Sequence, residues 1–136
     1  MATTAEIPRR VFKLALDAES QSFAANQTIQ SGLDSADGFI HLSDRASAPV
    51  VAKLFFTEAT DLKLIEIDAE KLPAPVRWVV GVMGEPAPAV GEGETVVHYM
   101  LPDGCVHVYG GVPTSAIVRE AAVPLENGVH TFPEWL

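Results

Sequence analysis

Two histidines stand in apolar segments beside residue types that could do chemistry. His41 lies in GFIHLS (38–43) and His107 in CVHVYG (105–110). Imidazole titrates near neutrality, so either ring can give or take a proton or hydrogen-bond a ligand. If both segments are strands, successive side chains point to opposite faces. Phe39, His41 and Ser43 then share one face, with Ile40 and Leu42 on the other. Cys105, His107 and Tyr109 likewise lie opposite Val106 and Val108. Each segment has an aliphatic face, expected to pack under helices, and a mixed face able to line a cleft. Were the two strands neighbours, His41, Ser43, His107 and Tyr109 would converge. The competing reading leaves each histidine satisfied separately by a backbone carbonyl or by water.

Other chemistries are less well supported. Ser43 lacks the G-x-S-x-G elbow of a serine nucleophile, and helix capping explains it. Zinc would accept Cys105 and His107, which point the same way, with His41 or His98 as a third ligand, but no C-x-x-C or H-x-x-x-H spacing accompanies them, and no metal site is expected. An apolar role suits Cys105 better. There is no G-x-x-x-x-G-K-[ST] loop and no G-x-G-x-x-G. The glycines of GEGE (91–94) sit in an acidic, proline-rich loop whose glutamates would repel phosphate. Trp78 and Trp135 read as core or docking residues.

The elements that must position these residues follow from patterning. VFKLAL (11–16) predicts a strand and DAESQSFAANQ (17–27) a helix capped by Asp17. Residues 28–37 are turn-rich. A helix is expected over 45–56, capped by Ser43 or Asp44, with Pro49 tolerated near its first turn. LKLIEIDA (62–69) predicts a largely buried strand with a charged end, and PVRWVVGV (75–82) another. EPAPAVGEGE (85–94) reads as an exposed loop. TVVHYML (95–101) and CVHVYGGV (105–112) form a hairpin about Pro102, Asp103 and Gly104. PTSAIVREA (113–121) reads as a capped helical turn or short helix. A coil tail (124–136) docks through Phe132 and Trp135. This order predicts one α+β domain over 1–136, with a mixed or antiparallel sheet and two to three helices, not a doubly wound fold.

A chain of 136 residues, 48% apolar, supports one sizeable core. No apolar run approaches the ~20 residues of a membrane span. MATTAEIPRR lacks the apolar centre of a signal peptide. The formal charge of −9 argues against nucleic-acid binding. Arg9, Arg10 and Lys13 make the main basic cluster. A soluble, cytoplasmic protein with a small-molecule ligand, and without nucleic-acid or membrane partners, is expected. One cysteine permits no internal disulfide.

DGFIHLSD (37–44) and HVYGGVP (107–113) resemble the DUF952 family, small proteins of uncharacterised function. The resemblance runs from about residue 11 to 123, through VFKLA, GFIHLS, LKLIEID and VRW, leaving 124–136 as a tail. The sequence departs from the family pattern at Val79, where an acidic residue often follows the tryptophan, and in its longer spacer before His107. Cys105 and Val106 stand where a Phe-Pro pair is usual. The family is similar to the ADP-ribosyltransferase fold, which binds NAD in a cleft between two small sheets. That likeness implies a split sheet, a ligand such as NAD or ADP-ribose, and His41 at its nicotinamide end. Lys13 would stand at the first motif of those enzymes, Ser43 beside His41 in the second, and His107 or Tyr109 near the third. His41 and His107 are then the catalytic candidates and Lys13, Ser43 and Tyr109 the ligand-binding ones, all on one face. No glutamate fills the third motif, since Glu66 and Asp68 belong to another strand. The alternative is a non-catalytic module that senses a small molecule or binds a protein.

Overall fold

Residues 7–136 are described by a computed structural model; the leader reading falls partly on residues 1–6, outside the described residues. Strand β1 (Arg10–Leu16) runs directly into helix α1 (Asp17–Asn26). The cap lies one residue earlier than the sequence pattern suggests. Leu16 is the N-cap, Glu19 accepts its N–H at 2.9 Å, and Asp17 is already helical. The turn-rich stretch contains a short helix, α2 (Gly32–Asp37). Ser31 and Asp34 cap it reciprocally: Ser31 Oγ accepts from Asp34 N at 3.1 Å, and Asp34 Oδ2 from Ser31 N at 2.8 Å. Strand β2 (Ile40–Ser43) follows, then α3 (Ala48–Phe55), with Pro49 in its first turn. Ser43 stays in the strand, and the preceding turn is held by Asp44, which accepts from Ser47 N at 2.8 Å.

The remaining strands are β3 (Leu62–Asp68), β4 (Val76–Val82), β5 (Thr95–Leu101), β6 (Cys105–Tyr109) and β7 (Ile117–Ala122). The expected helix over 113–121 reduces to one 3-10 turn, Thr114–Ala116, before β7. β-Branched Ile117 and Val118 then extend against β3. The tail adds a small hairpin, β8 (Leu125–Glu126) with β9 (Val129–His130), and docks as expected. Phe132 and Trp135 pack with Phe12 and Leu14.

Seven strands form one mixed sheet in the order β4-β5-β6-β2-β1-β3-β7. β4 and β5 are parallel and the other pairs antiparallel. Ile40, Leu42, Val106 and Val108 join Phe23 of α1 in the larger core, as the aliphatic faces require. Helix α3 instead covers the opposite face, where Ala48 and Ala52 meet Phe12, Leu14, Leu62 and Leu64. The sheet has a seam. β1 and β3 pair from Arg10↔Asp68 to Leu16↔Leu62, and β2 and β6 from Ile40↔Val108 to Ser43↔Cys105. β1 and β2 register only at Phe12↔Ser43. Among the described residues, no helix is long and apolar enough to cross a membrane.

The β5–β6 turn pins the end of β2. Asp44 accepts from Tyr99 OH at 2.8 Å, while Asp44 N donates to Gly104 O at 2.9 Å. Gly104 has φ +80°, and a Cβ there would lie 2.5 Å from the Asp44 carboxylate. Gly128 has φ +77° with open space around it. Gly128→Ala is therefore expected to cost only the left-handed strain, about 1–2 kcal/mol, and Gly104→Ala about 2–4 kcal/mol through lost Asp44 bonds as well. Equal losses in urea denaturation would contradict the Asp44 contact.

Candidate functional site

The seam between β1 and β2 opens into a cleft of about 610 Å³ whose lining includes Lys13, Asp34, His41 and His107. In an antiparallel pair, a residue's N–H and C=O both point toward the same neighbouring strand. If β1 continued alongside β2, Leu14 would come opposite His41. It does not, and two side chains take the backbone groups instead. Asp34 Oδ1 accepts from His41 N at 3.0 Å, and Lys13 Nζ donates to His41 O at 3.1 Å. The ammonium also donates to Asp34 Oδ1 at 3.0 Å and Oδ2 at 2.8 Å. Both side chains are buried, at 5% and 0% exposure. Burial pushes the Asp34 carboxyl up, but the bonds from His41 and Lys13 outweigh it and hold the group well below the usual carboxylate range. Burial draws Lys13 below its ordinary value, against the pull of Asp34.

The same carboxylate orients the His41 ring. Nδ1 lies 2.7 Å from Asp34 Oδ1, an acceptor, so Nδ1 carries a proton. Nε2 faces Asp37 Oδ2 at 2.8 Å. With a carboxylate on each nitrogen, His41 has no free lone pair with which to activate Ser43.

His41 pairs directly across the sheet with His107, and His107 in turn with His98. Three imidazoles therefore form a row over β2, β6 and β5. The His41 and His107 centroids are 5.6 Å apart, and Phe39 stacks on His107 at 4.1 Å. Among the described residues His107 has no hydrogen-bond partner. Burial, then His41 and then His98, push it down to about 4, against Asp37. It is a neutral acceptor at pH 7. His98 is buried, with Nε2 2.6 Å from Glu85 Oε1.

The structure brings Lys13, His41, Ser43 and His107 to one cleft. Lys13 does not share their sheet face as expected. Phe12 pairs with Ser43, so alternation turns Lys13 to the other side, and it reaches the site through the seam. Tyr109 lies one ring farther out, 5.3 Å from Phe39, and is not part of the cleft wall. Ser43 is buried and pairs with Cys105. Among the described residues, no three His, Cys, Asp or Glu side chains converge as metal ligands. Sequence reasoning passed over Asp34 and Asp37. The S-x-x-D spacing of Ser31 and Asp34, a capping-box pattern, marks the first of them.

The arrangement is that of an α+β protein with a seamed sheet and a histidine-floored cleft. Residues 14–120 match the family described as "Protein of unknown function (DUF952)", and the chain belongs to it. The crystal structure of CC0527 from Caulobacter crescentus, a structural-genomics target, is similar with a TM-score of 0.66 and 26% identity, over 90% of this chain and 93% of that one. The solution NMR structure of CC0527 gives 0.61 and 25%, over 90% and 91%. No curated protein matches the chain. These neighbours support a mixed α+β domain and do not establish the ADP-ribosyltransferase likeness.

Two outcomes test this electrostatic arrangement. Asp34→Asn leaves the Lys13 ammonium buried without its carboxylate and is expected to cost about 3–5 kcal/mol in urea denaturation. Adding Lys13→Met should recover part of that loss; strictly additive losses would contradict a coupled pair. For His107, the native value near 4 lies below the ordinary 6.5. Between them the unfolded chain holds a proton that the native protein lacks, so this group's contribution to stability is present above pH 6.5 and is lost as pH falls toward 4. NMR titration of the folded protein should find His107 neutral down to pH 5, about one unit above its midpoint. A midpoint above 6 would contradict its placement.

Proposed function

We propose that the chain binds a small molecule in the β1/β2 cleft and that His41 and His107 exchange protons with it. One observation carries this reading. Two histidines face each other across a register pair, one held by carboxylates on both nitrogens, the other neutral and without a partner among the described residues. A ligand that displaced Asp37 would meet the Nε2 edge of His41, while His107 offers a lone pair. Rings whose surroundings differ this much suit opposite halves of a proton transfer.

A second reading is an ADP-ribosyltransferase-like enzyme acting on NAD or ADP-ribose. Its support is the seam itself, with Phe39, His41 and His107 clustered beside it as a floor for a nicotinamide ring. The diphosphate is harder to place. Lys13 is the cleft's one Lys or Arg among the described residues, and Asp34 already neutralises it. A non-catalytic sensor would use the same cleft without turnover.

Thermal-shift measurements with nicotinamide, NAD and ADP-ribose separate these readings, because a ligand that binds only the folded state raises Tm by mass action. Nicotinamide is expected to raise Tm more than ADP-ribose at equal concentration, and His41→Ala and His107→Ala should each weaken binding about tenfold. That corresponds to one lost hydrogen bond of about 1.4 kcal/mol. A nicotinamide shift that survives both substitutions would put binding elsewhere. A larger ADP-ribose shift would favour the second reading.

A further inference from the structure

We propose that the compound taken by this cleft is an amphipathic amine or amide: a hydrogen-bond-donating nitrogen head, uncharged or cationic, on an apolar body. The inference rests on the small-molecule reading above and names the ligand's chemical class.

The head follows from counting donors and acceptors. An ammonium has three protons to donate. Lys13 directs bonds to three acceptors, Asp34 Oδ1, Asp34 Oδ2 and His41 O, so none is left for an anionic ligand. The His41 nitrogens both face carboxylates. On the acceptor side, His107 presents a lone pair without a partner among the described residues, and Glu19 lines the same cleft. A carboxylate or phosphate head would leave water for a site with acceptors on offer and no free cation. A nitrogen donor would find what it needs.

The body follows from the walls. Above the polar floor, Leu14, Val51 and Phe56 line the cleft. Its rim carries Leu33 of α2, Phe55 of α3 and Met83 just after β4, exposed by 61%, 75% and 50%. Three large apolar side chains from three separate segments stand in solvent around one opening. A cluster of that kind marks a surface that an apolar partner covers. The volume suits a compound well beyond a single ring.

Isothermal titration of the whole protein with octylamine, octanamide, octanoate and butylamine tests both halves, with nicotinamide as the head-only probe. Octylamine and octanamide should bind at least tenfold more tightly than octanoate. Shortening octylamine to butylamine should weaken binding about two- to fourfold per methylene. Leu33→Ser and Phe55→Ser, both at exposed positions, should weaken octylamine about tenfold, and His107→Phe should weaken octanamide. Octanoate binding as tightly as octylamine overturns the head assignment, and indifference to chain length overturns the apolar body. If the octyl compounds fail while nicotinamide binds, this inference falls and the small-molecule reading stands. If neither octyl compounds nor nicotinamide bind, both fall.

Discussion

A buried ammonium and a buried carboxylate stand where a stretch of β-ladder would otherwise run. β1 and β2 must diverge after Phe12↔Ser43 to leave a cleft, and divergence strips partners from the backbone of His41. Each buried orphan would cost about 1–3 kcal/mol. Asp34 and Lys13 supply the missing acceptor and donor, and each neutralises the charge the other brings into the interior. Taken alone, a buried ion pair says little about net stability, since desolvation offsets much of the attraction. Its importance here is geometric: it lets the sheet open without unsatisfied polar atoms, and among the described residues no buried side-chain nitrogen or oxygen lacks a partner.

Much of the site follows from that wedge. Asp34 can reach the seam because Ser31 and Asp34 fix the first turn of α2 and aim the carboxylate at β2. Bonds from both the backbone and the ring of His41 lock that residue in place. The other half of the floor has a separate support. The connection after β4 returns Glu85 to His98, and its carboxylate lies over Gly81 in space that a Cβ there would take. His107 sits between these two carboxylate–imidazole pairs without a carboxylate of its own, which is why burial wins and it stays neutral.

The sequence made parts of this legible. Alternation in GFIHLS and CVHVYG assigned the correct faces, and the adjacency of β2 and β6 turned two same-face histidines into a register pair. The glycine at 104 marked the hairpin turn, and Phe132 and Trp135 dock the tail as their size and lateness in the chain suggested. What escaped depends on tertiary context. Alternation alone misplaced Lys13, because a side chain on the wrong face can still pass through a seam, and a seam has no local signature. α2 is too short for periodicity, so only its capping pair announced it. β7 was obscured because IVRE carries no clean alternation and is fixed by pairing with β3. The partnership of Glu85 with His98 spans a loop that looked purely solvated.

Fold and chemistry are unevenly shared among the residues of the floor. Asp34 caps α2, completes the backbone of β2, neutralises Lys13 and orients His41, so its removal would confound stability with function. His41 is tied to the same network through its main chain, but its ring can change while its N–H and C=O stay bonded. His107 carries least of the fold: it is partly exposed, its ring bonds nothing among the described residues, and its strand is secured by Val106 and Val108 beneath it. The ring of His107 is therefore the part of the floor on which the fold depends least.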